Sequence, residues 1–192
     1  VGSKSNSLIF LIFEFSKRAI ALISVLVSIG LVACSDSNLP GSYISETHGY
    51  QFLYPNGWIP VNVEHNDHGV DVVYRDLLEY SENLSVIVSD VPATQTLQSL
   101  GSPTDVGYRF MQEATTGDRQ PELIRAESHN QTGQTYYTLE YQVTLGNGQQ
   151  RHDLATVAIK QGKLYTFNLS TPQNRWQTRQ NLFNQIIHSF QV

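Results

Sequence analysis

The chain has 192 residues, 40% of them hydrophobic, with 12 basic and 17 acidic side chains and a net charge of −5. That is enough for one domain plus a leader, with a core large enough to stand without disulfides, and the single cysteine excludes an intrachain disulfide. The acidic balance excludes non-specific nucleic-acid binding, which needs a basic face, and electrostatic adhesion to anionic lipid.

Residues 1–33 read as a signal peptide of the lipoprotein type. Lys17 and Arg18 supply positive charge, Ala19 to Leu31 run almost wholly apolar, and Ala33 is a small residue before Cys34. That is the order of a secretory leader, and residues 1–16 form an extension ahead of it. Cys34 has three readings: half a disulfide, a reactive or metal-binding thiol, or a point of lipid attachment. A lone cysteine removes the first, and a reactive thiol needs a base and a folded pocket. Leu31-Val32-Ala33-Cys34 resembles a bacterial lipobox, in which the thiol is acylated and the peptide is cut just before it. The rival is an uncleaved anchor; the apolar run is shorter than the roughly 20 residues of a span, although Leu8 to Phe15 could lengthen it. Removal of the leader takes away Lys4, Lys17, Arg18 and Glu14 and leaves nine basic and sixteen acidic residues, a net charge of −7. Residues 34–47, with Pro40 and Gly41, read as a flexible tether from lipid to domain. The compartment is extracytoplasmic.

Residues 48–192 read as the folded domain. Extended runs are expected at Gly49–Tyr54, Trp58–Glu64, Val70–Tyr74 and Leu84–Val88, with a turn at Pro55-Asn56-Gly57. His65-Asn66-Asp67-His68-Gly69 is a turn by composition, and Arg75–Asn83 reads as charged and exposed. A helix is expected from Thr104, as N-cap, to Gly117, as C-cap, with Val106, Phe110 and Ala114 on one face. Gly107 within it costs about 1 kcal/mol against Ala. Strand signals resume at Glu122–Ser128. They are clearest over Tyr136–Leu145, where Tyr137, Leu139, Tyr141 and Val143 alternate with Tyr136, Thr138, Glu140 and Gln142. Tyr136 falls on the face expected to reach the surface. Gly146-Asn147-Gly148 and Gln161-Gly162 turn the chain into returning strands at His152–Ile159 and Leu164–Leu169. Thr171 caps a last helix with Pro172 at its first position, whose apolar stripe holds Trp176, Leu182, Phe183, Ile186 and Ile187. Ser189–Val192 closes as a short strand. Tight turns between strands imply antiparallel pairing, so the fold class is α+β, a mostly antiparallel sheet with helices on its faces.

The chemistry is sparse. There is no nucleophile elbow, no phosphate-cradling glycine loop and no dinucleotide fingerprint. The acidic pairs Asp71/Asp76 and Glu79/Glu82 read as a solvated face. His65, Asp67 and His68 bring two imidazoles and a carboxylate within four residues, and His152 beside Asp153 is a second such group. These are ligand types for Zn²⁺ or another transition metal. A glycine-adjacent turn also places such groups in water, where ligands without fixed partners bind weakly. His48, His129 and His188 stand isolated. From the residues alone, a binding or structural module is favoured over an enzyme.

Several stretches, in order across residues 49–190, resemble the PsbP family of photosystem II proteins. They are GYQFLYPNGW from Gly49, VDVVYRD from Val70, ENLSV from Glu82, GQTYYTLEY from Gly133, Arg151-His152, GKLY from Gly162, Arg175-Trp176 and Ser189-Phe190. With the lipobox, the chain is similar to the cyanobacterial lipoprotein branch. The resemblance implies a central antiparallel sheet sandwiched by helices and a lumenal thylakoid location. It implies photosystem II core subunits as partners, no enzymatic activity, no required cofactor, and an association with calcium or zinc. Plant members retain the calcium and chloride of the oxygen-evolving cluster and dock through a basic N-terminal arm. Here a lipid and an acidic-to-neutral tether stand in its place. His152 matches a metal-associated histidine of the plant pattern, but Gln173 and Asn174 stand where a carboxylate is common before the Arg-Trp pair, so metal binding at His152 should be weaker. The expected role is assembly or stabilisation of the oxygen-evolving side. The alternative, from another class, is an envelope lipoprotein on the periplasmic side of the plasma membrane that binds a small ligand or a protein.

Overall fold

The computed structural model describes residues 40–63 and 69–192. Nine strands and two helices follow in the order β1 (Gly41–Ser45), β2 (Tyr50–Tyr54), β3 (Trp58–Val61), β4 (Val70–Asp76), β5 (Asn83–Asp90), α1 (Pro103–Ala114), β6 (Gln120–Gln131), β7 (Gln134–Thr144), β8 (Gln150–Lys160), β9 (Lys163–Pro172) and α2 (Trp176–Ser189). Seven strands form one antiparallel sheet in the order β3-β4-β5-β9-β8-β7-β6. Strands β1 and β2 form a separate two-stranded ribbon. The α+β class expected from the sequence is the fold found.

The alternation in β7 sorts its side chains into two cores. Tyr137, Leu139 and Tyr141 join Ala155, Val157 and Ile159 of β8 under α1. Tyr136 lies on the other face with Leu154, Phe167, Leu169 and the apolar stripe of α2, capped by Tyr50 and Phe52 of the ribbon. Both faces are covered, so β8 is buried along nearly its whole length, as expected for a sheet sandwiched between layers. Phe52 and Phe190 each pack 5.0 Å from Phe167, ring centre to ring centre, and each such ring contributes roughly 1.5–3 kcal/mol by burial.

Local chemistry explains where the elements differ from expectation. The first helix is capped by Ser102, not Thr104. Ser102 Oγ accepts from the Asp105 amide at 3.2 Å, while Asp105 accepts from the Ser102 amide at 2.9 Å. That reciprocal box satisfies two otherwise unpaired donors. Gly107 is buried against β6, and a Cβ there would stand 2.8 Å from a Leu123 methyl. Its absence lets α1 lie flush on the sheet. The turns after β6 and β8 hold positive φ at both central residues, Thr132-Gly133 and Gln161-Gly162, the tight-hairpin geometry whose twist matches the strands.

Four other expectations are corrected. Gly41–Ser45, expected within the tether, is a strand paired in register with β2. Thr171 and Pro172 do not open the last helix: β9 continues through them, and α2 starts at Trp176 after a short 3₁₀ turn with no side-chain cap. Tyr136 is fully buried, its hydroxyl accepting from the Val192 amide at 3.1 Å. The C-terminal residues make a single bridge, Gln191 to Gln51, rather than a strand. Among the described residues no helix is long and apolar enough to cross a membrane.

Candidate functional site

The densest polar cluster sits where the starts of β5 and β8, the end of β9 and the first turn of α2 meet. Glu82, expected on a solvated face, is 0% exposed. Its Oε1 accepts from Thr171 Oγ1 at 2.9 Å, Arg175 Nε at 2.6 Å and Arg179 Nε at 3.1 Å. Arg179 Nη2 lies 3.0 Å from Glu82 Oε2 and 3.5 Å from Asp76 Oδ2. A buried carboxylate is tolerated only with such charged donors around it. Thr171 is thus spent on Glu82 rather than on a helix cap. Asp76 is drawn in as well. Burial works against its charge, but the amides of Glu79 and Leu78, the Arg179 guanidinium and the Trp58 indole outweigh that and hold its pKa below the ordinary value. Arg151 donates to Ser170 Oγ from Nε at 2.9 Å and to the Ser81 carbonyl, tying β8 to the loop before β5.

Beside this network His152 is buried and stacked on Trp176, ring centres 3.7 Å apart. Its Nε2 is 2.9 Å from Glu140 Oε1 and its Nδ1 is 3.0 Å from Gln173 Oε1. The other Glu140 oxygen pairs with Arg125 at 3.2 Å. An open cleft of about 640 Å³ runs alongside, lined by Glu79, Ser81, Gln149, Gln150, Arg151 and Gln173. Its polar side chains are mostly amides, those of Gln149, Gln150, Gln173 and Asn174, with the Arg151 guanidinium beside them.

The expected site residues separate. Cys34, His65, Asp67 and His68 lie outside the described residues. His152 and Asp153 do not share a site: adjacent strand residues face opposite ways, so His152 meets α2 while Asp153 lies on the α1 side near Tyr141 and Asn168. Burial pushes the Asp153 pKa up. The residues at His152 do not fit Ca²⁺ or Zn²⁺. Both ring nitrogens are already hydrogen-bonded, and an arginine holds the free oxygen of the one neighbouring carboxylate. Among the described residues no three His, Cys, Asp or Glu side chains converge. The other histidines are not isolated. His48 lies 3.1 Å from Asp71, which also accepts from Tyr50. The His129 and His188 rings are 5.1 Å apart. Burial, then the proximity of His188, lowers the His129 pKa. What this arrangement can do is hold the strand ends and α2 in fixed register and present side-chain amides and the Arg151 guanidinium along a cleft. Sequence reasoning missed Glu82 as its centre. The available signal was Arg175 and Arg179, four residues apart in sequence at the start of the last helix and needing an acceptor.

The PsbP family model matches residues 41–192. The chain is 51% identical to CyanoP of Synechocystis sp. over 179 residues, covering 91% of this chain and 95% of that protein. It is 40% identical to CyanoP of Thermosynechococcus vestitus, covering 93% and 98%. It is 32% identical to PsbP-like protein 1, chloroplastic, of Arabidopsis thaliana, covering 74% of this chain and 60% of that protein. The solution structure of Synechocystis CyanoP superposes with a TM-score of 0.71 at 51% identity, covering 85% of this chain and 99% of that one.

Proposed function

This chain belongs to the PsbP family, and from that premise we propose that it is a non-catalytic, lipid-anchored lumenal protein that docks on photosystem II. Its role is to aid assembly or stabilisation of the oxygen-evolving side. The observation that carries the reading is the 51% identity to CyanoP over nearly the whole length of both chains. Two features support it. Ala33-Cys34 suits lipidation, and a tether holds the domain at high local concentration near a membrane partner, so a modest interface suffices. The buried charges at the strand ends are consumed by each other, as in a scaffold that holds a surface in shape.

The small-ligand alternative has one observation in its favour. An apolar groove of about 550 Å³ lies between α1 and the sheet, with Ile87, Val157 and Leu164 on its floor. Its charged residues, Arg109 and Glu113, are both exposed, so the groove lacks the convergent buried polar groups of a built ligand site.

The test is native electrophoresis of gently solubilised thylakoid and plasma membranes, with Cys34→Ala alongside. The reading expects co-migration with photosystem II core complexes and release of Cys34→Ala into the wash. Migration with envelope proteins, or Cys34→Ala remaining uncleaved in washed membranes, overturns it.

A further inference from the structure

The loop Leu77–Ser81 between β4 and β5 exposes its largest apolar side chains: Leu77 is 49% exposed, Leu78 91% and Tyr80 63%. A hydrophobic tip this open is ordinarily mobile, yet this one is pinned on all sides. The Leu78 and Glu79 amides donate to Asp76 Oδ1 at 2.7 and 3.0 Å, and the Leu77 amide donates to the Gly57 carbonyl at 3.2 Å. Glu82 and Ser81 close the loop through the Glu79 carbonyl and carboxylate. Arg75 lies over the Tyr80 ring at 4.9 Å. The anchor residues are therefore set in place before any partner arrives, which lowers the entropic cost of binding. Leucine beside tyrosine and arginine is also a composition that favours interface hot spots through its Tyr and Arg.

Charge indicates the partner. Four of the nine basic residues in 34–192 surround this loop: Arg75, Arg151, Arg175 and Arg179. The local carboxylates Asp76, Glu79 and Glu82 are held by those arginines, by Ser81 or by backbone amides. So an otherwise acidic domain offers a slightly cationic collar around an apolar tip, continuous with the amide-lined cleft. A bilayer surface fits less well. Glu79, adjoining Leu78, has its pKa lowered by hydrogen bonds from Ser81, and insertion would carry that charge into the interface.

We infer that the Leu77–Leu78–Tyr80 tip is the docking surface for a protein partner, seated in an apolar socket rimmed by carboxylates. The inference deepens the proposed function and rests on the reading that this chain works by docking on a protein. The experiment uses the full chain in its own membranes, with a photo-crosslinking residue at position 78 and a control at the exposed Ile124 on β6. It is paired with a tagged Leu77→Ser/Leu78→Ser/Tyr80→Ser variant whose thermal unfolding is checked against wild type. The expected result is an adduct from position 78, and not 124, to a photosystem II core subunit, with retention of that subunit falling at least about tenfold in the variant. Equal retention of photosystem II subunits by wild type and variant, with no protein adduct at 78, overturns the inference and leaves the family role standing. Lipid adducts at 78 overturn it in favour of membrane contact. If position 78 joins one identified protein outside photosystem II, and the variant loses it, the docking surface stands and the photosystem role falls. If neither wild type nor variant retains photosystem II subunits and position 78 gives no protein adduct, both the docking surface and the photosystem role fall.

Discussion

Replacing Glu82 with Ala should be among the most destabilising single changes in the domain. The carboxylate is fully buried and accepts from Thr171, Arg175 and Arg179, so its loss strips two guanidinium groups of their main acceptor. Removing one member of a buried ion pair costs about 3–5 kcal/mol. Here the Arg175 and Arg179 side chains are 36% and 27% exposed, so water relieves part of their loss and the lower end, about 3 kcal/mol, is expected. In a domain of this size that is a fall in Tm of roughly 6–12 °C. Glu82→Gln keeps the acceptor and should lose about half as much. The assay is thermal and urea unfolding followed by circular dichroism, with a double-mutant cycle against Arg175→Met. A cycle coupling above about 0.5 kcal/mol is required if the pair acts as a unit. A loss under about 1 kcal/mol for Glu82→Ala, or one that disappears in about 1 M salt, where exposed pairs are screened, would refute the reasoning.

Asp153 has a raised pKa in the fold, so folding favours its protonated form, and stability falls as pH rises from the unfolded carboxylate range through the folded value. Asp153→Asn should be more stable than wild type at neutral pH, the advantage vanishing at pH below about 3.9 in urea titrations; an advantage that persisted there would point to packing instead. His129 is shifted the other way, so the fold loses stability as pH drops from about 6.5 through the lowered folded value. His188→Gln should lessen that acid loss, and an unchanged pH profile would show that burial alone sets it. Gly107→Ala gains about 1 kcal/mol of helix propensity but meets Leu123 at 2.8 Å, and overpacking costs about 1–3 kcal/mol. A net loss near 1 kcal/mol is expected, and a stabilised variant would mean Leu123 swings clear. Zinc titrated calorimetrically into wild type and His152→Gln should give the same isotherm down to micromolar affinity. A tight component lost only in the variant would contradict the fit argued for that site.

The sheet was largely legible because its strands obey simple periodicity. Tyr137, Leu139 and Tyr141 alternate with polar neighbours, and the Gly133, Gly148 and Gly162 turns fall between the strands. Where one residue could serve two purposes, local rules chose wrongly. Thr171-Pro172 satisfies every rule for a helix start, but Thr171 is required by a carboxylate 89 positions earlier. Glu82 itself lies in a polar run, and nothing local distinguishes it from the exposed residues around it. Its burial depends on arginines 93 and 97 positions away. Tyr136 shares a face with Thr138 and Glu140 and so read as surface, yet α2 covers that face. Long-range pairing of this kind leaves no periodic trace.

The central claim is that this protein acts by docking on photosystem II. Its most direct test is affinity purification of the C-terminally tagged full chain from gently solubilised membranes, with partners identified by mass spectrometry and the complex sized. The account predicts stoichiometric enrichment of photosystem II core subunits in a complex of assembly-intermediate or mature size. Recovery of envelope proteins without those subunits would contradict it, leaving a PsbP-family fold in a different role.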